Sequence, residues 1–514
     1  MLRSTSPSST EAAAGSTLFG HPKGLYVLAL TEMWERFSFY GMRALLVFFL
    51  TQRFQFSDRA AFAVYGSYAA LVYISPVLGG LLADRYLGFS RAVVFGGLLM
   101  VCGHFGLAAE DLLLAPRGSA QAQVFYLSLA FLIAGVGLLK PNVSTMVGGL
   151  YPDNGHLRDS GFTVFVWGIN FGAAISAVVC GYVGQQYGWG YGFGLAGLGI
   201  LLGLAIFAGG QRHLRGIGAP PDPAALRRRV WAGVRLDSAI YLATVLAIFG
   251  VWRLVQMPVL GYVVGASFLV AMAGTMAYAY RHLQLIQRQQ LFAALALMGV
   301  WVCFAALIEQ TGSSLNLFTE RVVDRSLGFS GASGTYELRS AQLQGLLPLL
   351  VILFSPLFAW LWGYLERRRL NPSTPLKFAL SLLFLAAGYA AVFMGMLPAD
   401  AGGHVPLVWL LLLYGLFAIG DLLIVPVGLS VTTKLATAKL VGFMMGLWML
   451  SVAIGNFISA GIAGQSAVAA HSSPAAVFAR YREFFGILAL VSAAVGGIVW
   501  TLAPPIRKWM HGVR

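Results

Sequence analysis

Residues 31–43 read Thr31-Glu32-Met33-Trp34-Glu35-Arg36-Phe37-Ser38-Phe39-Tyr40-Gly41-Met42-Arg43, inside an apolar run from about Leu25 to Leu50. Glu32, Glu35, Arg36, Tyr40 and Arg43 follow one another at helical spacing, so a helix gathers them on one face. A charge at the centre of a bilayer costs roughly 2.5–3.5 kcal/mol on the insertion scale. A spanning helix with four such groups cannot turn them to lipid. The stripe must line a cavity, and a cavity lined by acids and bases is suited to protons and charged solutes.

The rest of the chain supplies the membrane. Its 514 residues are 58% hydrophobic and only 10% charged, with a mean hydropathy of +0.76; soluble domains carry about 25% charged residues. Fourteen apolar runs reach spanning length, at about 23–51, 61–84, 91–114, 122–150, 160–184, 188–209, 232–256, 259–281, 290–315, 341–365, 375–397, 405–432, 437–465 and 481–504. Long runs without period-two alternation build helices and not barrels, so the class is an all-α membrane protein.

The net charge of +15 follows topology. With the amino terminus placed inside, about 22 of the 34 Lys and Arg fall in cytoplasmic segments and about 9 in external ones. Arg227-Arg228-Arg229 and Arg367-Arg368-Arg369 are the strongest local marks. The expected location is the inner membrane, multi-pass, with both termini cytoplasmic and no nucleic-acid partner. Cys102, Cys180 and Cys303 fall within spans with neither metal nor disulfide spacing. No signal peptide is read at the start.

The spans divide as six, two and six. Residues 1–20, rich in Ser, Thr and Ala, read as a disordered cytoplasmic tail. Residues 21–210 form a first six-helix bundle, 211–231 a linker, 232–282 two extra helices facing lipid, 283–505 a second six-helix bundle, and 506–514 a cytoplasmic tail. Ser75-Pro76 and Ser355-Pro356 each fall near the end of the second span of their half. That echo suggests the duplicated halves of secondary transporters.

Three further ionisable residues are read within spans: Lys140, Glu309 and Asp421. Unpaired, seven such charges would cost on the order of 20 kcal/mol. That exceeds the ~5–15 kcal/mol net stability of a typical fold. They must be paired or hydrated, and acids able to take a proton can release their basic partners. An enzyme is not expected, because His104, the one His well inside a span, lacks a nucleophile motif.

The stripe resembles the ExxERFxYYGMR signature of the proton-dependent oligopeptide transporter family of the major facilitator superfamily, in the form with two extra helices that bacterial members carry. Gly79-Gly80-Leu81-Leu82-Ala83-Asp84-Arg85-Tyr86-Leu87-Gly88, Leu139-Lys140-Pro141-Asn142-Val143-Ser144, Phe162 through Gly172 and Gly428-Leu429-Ser430 resemble four more of its motifs. The resemblance implies two six-helix bundles plus two extra helices, and symport of di- and tripeptides with protons by alternating access. No cofactor or metal is implied beyond the coupling proton, and a monomer in membrane lipid is expected. By motif, Glu32, Glu35, Arg36, Lys140 and Glu309 would couple protons, and Arg43 with Glu309 would form an external gate. Arg36 and Lys140 would receive the peptide carboxylate, Asn170 and Asp421 its amino group, and Tyr40 and Tyr73 its backbone.

The chemistry agrees with that assignment, since a zwitterion needs a cationic and an anionic patch facing each other. The sequence departs from the family pattern at Asp421, where Glu is usual, and at Leu347, where Asn precedes the proline. It also departs at Val166-Trp167, Phe39 and Ala305. These departures bear on substrate selectivity, and leave open a non-peptide substrate on the same fold, such as a modified amino acid, an anion or a peptidomimetic.

Overall fold

The computed structural model describes residues 17–113, 119–151, 155–230, 233–257, 260–331, 334–397, 403–437, 439–469 and 471–513. Fourteen long helices account for most of it. In the first half these are α1 Lys23–Phe48, α2 Asp58–Leu82, α3 Phe89–Leu113, α4 Ser119–Gly149, α5 Gly155–Tyr187 and α6 Trp189–Gly210. Two more, α7 Leu236–Leu254 and α8 Leu260–His282, precede the second half. That half comprises α9 Leu285–Ile308, α10 Leu346–Arg367, α11 Thr374–Gly395, α12 Leu407–Leu435, α13 Val441–Ala463 and α14 Pro474–Trp509. Thirteen stretches are long and apolar enough to cross a membrane; the exception is α1, whose charges lower its hydropathy. The chain is a multi-pass membrane protein.

Several boundaries differ from the sequence reading, each for a local reason. Thr17–Leu18 pairs with His21–Pro22 as a two-stranded turn leading into α1, so the expected disordered tail does not extend to residue 20; residues 1–16 lie outside the described ones. The ninth helix stops at Ile308, and a 3-10 turn, Glu309–Gly312, separates it from a short helix Ser314–Arg321. The last helix starts early because Ser473 caps it by accepting from Ala476 N, and it runs on to Trp509 through Pro504 and Pro505. The linker is held down as well: Ser90 N donates to Gly218 O at 2.9 Å.

Each half is a six-helix bundle. Close contact is set by small residues, as expected where lipid removes the hydrophobic driving force. Gly79 on α2 lies against the Gly137 carbonyl on α4, and Gly172 on α5 against the Met33 carbonyl on α1. The extra helices lean on different halves, α7 on α4 and α8 on α13. Their outer faces are exposed at Leu242, Leu246, Tyr262, Leu269 and Val270.

The halves meet along α2–α13 and α5–α10. The end where α1 begins and α14 ends is called here the terminal end, and the opposite one the distal end. Polar bonds between halves cluster distally. Arg321 grips Asp58 in a bidentate pair at 2.7 and 2.8 Å. Gln344 Nε2 donates to Ala44 O at 3.0 Å, Ala341 N donates to Gln185 Oε1 at 3.0 Å, and Arg339 bonds to Gln186. At the terminal end, Asp84, Arg85 and Tyr86 are exposed, as are Leu78, Leu81 and Val425. The polar bonds that join the halves thus lie at the distal end.

Candidate functional site

The stripe on α1 is buried between the bundles. Arg36 is the hub: its Nη2 and Nε donate to Glu32 Oε1 at 2.7 and 2.9 Å, and its Nε lies 3.1 Å from Glu35 Oε2. Glu32 and Glu35 are essentially inaccessible, at 1% and 0% exposure. Neither Glu35 oxygen nor Glu32 Oε2 has a hydrogen-bond donor among the described residues. One guanidinium thus faces two carboxylates. Lys140 on α4 shares this electrostatic neighbourhood, but it forms no ion pair among the described residues. Its Nζ sits 4.5 Å from the centre of the Tyr73 ring, a cation–π contact.

Two turns further along α1, Arg43 Nη2 donates to Glu309 Oε2 at 2.5 Å, joining the halves. Glu309 is the first residue of the 3-10 turn that ends α9. The helix break therefore places this carboxylate where the halves meet. Arg43 also faces the rings of Tyr40 and Tyr65 at 5.6 and 5.9 Å.

Beneath this pair lies a cavity of about 140 Å³. Tyr40, Arg43, Asn170, Glu309 and Asp421 all line it, so five of the residues singled out in the sequence meet at one space. Leu347, Pro348 and Val351 of α10 form its apolar flank. Arg36, Lys140, Glu32, Glu35 and Tyr73 are not part of its wall. Asn170 Nδ2 is turned back to Val166 O at 3.1 Å, and Asp421 makes no ion pair among the described residues. The site therefore has an anionic pole on α12 and a cationic pole on α1 and α4, carried by different halves.

Two further carboxylates are buried at helix ends. Glu110, near the end of α3, is fully buried, and Asp58 at the start of α2 is 4% exposed. Hydropathy assigns helix ends to the water interface, whereas here neighbouring elements cover them. The Asp58–Arg321 pair and Gln344 were likewise not anticipated, since each joins residues far apart in sequence at helix ends. His104 is a hydrogen-bonding residue: its Nε2 lies 2.5 Å from Ser38 Oγ on α1. Among the described residues no cluster of His, Cys, Asp or Glu could hold a metal ion.

Comparison with known proteins places this arrangement. A sequence model of the POT family matches residues 90–481. A di-/tripeptide transporter of Lactococcus lactis subsp. lactis (strain IL1403) is 34% identical over 97% of this chain and 98% of its own. A crystal structure of a peptide transporter POT in complex with sulfate superimposes with a TM-score of 0.80 at 33% identity, covering 99% of this chain and 100% of that one. A POT family transporter in complex with 5-aminolevulinic acid gives a TM-score of 0.78 at 26% identity, covering 97% and 100%. The chain belongs to the POT family of transporters, whose function is proton-coupled peptide transport.

Proposed function

We propose that the protein is a symporter that imports di- and tripeptides with protons by alternating access, as a monomer in the inner membrane with both termini cytoplasmic. The observation that supports this reading is a cavity lined by Asp421 and Asn170 beneath the Arg43–Glu309 pair that joins the halves, with Arg36 and Lys140 carried by the opposite half from Asp421. Asp421 and Asn170 receive the peptide amino end; Arg36 and Lys140 receive its carboxylate; Tyr40 and Tyr73 contact its backbone. A complete set of poles within one chain supports the monomer as the unit of transport.

Coupling follows from charge balance. Glu32, Glu35, Arg36 and Lys140 sum to zero. A peptide carboxylate arriving at Arg36 and Lys140 would leave the cluster with one negative charge, which costs roughly 2.5–3.5 kcal/mol at membrane depth. A proton on Glu35 restores neutrality, so peptide and proton bind together. At the gate, a proton on Glu309 removes the charge that holds Arg43 and lets the distal end open. A membrane potential of 100 mV adds ~2.3 kcal/mol per charge moved.

The test is uptake of labelled di-alanine into proteoliposomes with and without an inward proton gradient. Accumulation that depends on the gradient and is lost in Glu35→Gln and Lys140→Ala supports symport and this cluster. Absence of peptide uptake by folded, correctly oriented protein would move the reading to a non-peptide substrate. Leu347 on the wall beside Asp421 favours that second reading, because an apolar side chain stands where an amino group needs an acceptor. 5-Aminolevulinate, an amino acid without a peptide bond, is the first alternative to assay.

A further inference from the structure

A second, larger cavity of about 1120 Å³ opens at the terminal end, and its walls come entirely from the second half, from α10, α11, α12 and α14. It has no part in the site above. We propose that it seats one anionic phospholipid of the adjoining leaflet, with the headgroup phosphate at the rim and an acyl chain along α12.

The rim is cationic. Arg369, Lys377, Lys434 and Arg507 line it together with Glu366, the one carboxylate among the described lining residues, whose Oε2 accepts from Asn371 Nδ2 at 2.7 Å. The four cations come from four places in the fold: the α10–α11 turn, the first turn of α11, and the ends of α12 and α14. Lys377 Nζ rests 4.1 Å from the centre of the Trp362 ring, so an aromatic face holds this ammonium at the mouth. The amino end of α11, with Ser373 before it, opens on the same rim and adds its positive dipole end.

The floor is apolar: Leu422, Pro426, Val427 and Val431 descend along α12. From Lys434 to Leu422 the helix drops about 18 Å at 1.5 Å per residue. That is close to one leaflet of a ~30 Å hydrocarbon core. The wall helix α10 adds the ring of Trp362 to the same lining. A free anion would use the rim alone and leave the floor as bare apolar surface in water. An amphiphile uses both, and basic pockets between helices suit acidic headgroups.

The experiment is native mass spectrometry and thermal unfolding of detergent-purified protein with dioleoyl phosphatidylglycerol, dioleoyl phosphatidylcholine or inorganic phosphate. Phosphatidylglycerol should stay bound one to one and raise Tm, and phosphatidylcholine should do so at least tenfold more weakly. Arg369→Gln with Lys377→Gln and Arg507→Gln should abolish that preference while labelled di-alanine binding is unchanged. The floor variant Val427→Asn should weaken retention of phosphatidylglycerol several-fold. Should the triple variant fail to fold, the single variant Arg507→Gln, at an exposed position, should still reduce retention about threefold. Equal retention of both lipids, or of phosphatidylglycerol by wild type and variants alike, would overturn the proposal. Stabilisation by phosphate alone that Val427→Asn leaves intact would overturn it in favour of a soluble anion. Lipid binding is read without substrate, so its failure is separate from failure of the peptide reading.

Discussion

At the scale of single residues, Arg36 is the group on which the buried charges depend. Removing one partner of a buried ion pair costs about 3–5 kcal/mol, whereas replacing the whole set by apolar or neutral groups is often harmless. Arg36→Met should therefore lower Tm strongly, because Glu32 and Glu35 lose the one residue that pairs with both. The fourfold change Glu32→Gln, Glu35→Gln, Arg36→Met and Lys140→Met should recover most of the loss while transport stays absent. Unfolding of detergent-purified protein alongside proteoliposome uptake checks both halves of the expectation. A fourfold variant as unstable as the single one would show that the cluster is needed for the fold itself. Glu309→Gln tests a different role. It keeps the side-chain shape but removes the charge opposite Arg43, so accumulation against a gradient should fall at least tenfold while exchange of labelled for unlabelled peptide persists. Loss of both at once would place Glu309 in substrate binding.

At the scale of elements, helix packing is decided by a few atoms. A Cβ at Gly79 would run into the Gly137 carbonyl and stand 2.9 Å from Leu138 Cα, all of it backbone that cannot move aside. A Cβ at neighbouring Gly80 would meet only Pro141 Cβ, at 3.9 Å. The same chemical change should therefore have opposite signs: Gly79→Ala costs about 1–3 kcal/mol by overpacking, and Gly80→Ala is neutral or gains up to ~1 kcal/mol of helix propensity. Paired thermal unfolding curves check the sign; equal shifts would show that α2 and α4 are less tightly joined than the contact indicates. These elements also show what the sequence could and could not disclose. Fourteen spans and the stripe on α1 were legible because charges are scarce in apolar helices and their spacing repeats every three to four residues. The break at Glu309 was not, since Glu309-Gln310-Thr311-Gly312 carries no proline and its departure from the helix is fixed by tertiary bonds such as Gln310 to Ser459, at 3.0 Å. The bidentate grip of Arg321 on Asp58 was hidden for a related reason. Each residue alone reads as an ordinary charge at a helix end, and only the closure of two halves brings them together.

At the scale of the whole molecule, the two halves are held at the distal end by two ion pairs of different depth. Arg43–Glu309 closes the inner level and Asp58–Arg321 the outer one, where Asp58 Oδ2 also accepts from Val468 N at 3.3 Å. Only the inner pair lies against the cavity with Asp421. The outer pair has no route to the substrate, so weakening it should change access without changing recognition. In a background with Cys102, Cys180 and Cys303 replaced by alanine, Gln344→Cys provides a thiol at the closed junction, where the native side chain bonds to Ala44 O. Thiol labelling from the distal side should be slow. Adding Asp58→Asn should speed it several-fold, since a neutral amide cannot form the paired bonds to the Arg321 guanidinium. Affinity for di-alanine should stay within about twofold. An unchanged labelling rate would mean that packing along α2–α13 and α5–α10 holds the distal end by itself. A rate that rises together with a large loss of affinity would mean that the outer and inner pairs open as one unit.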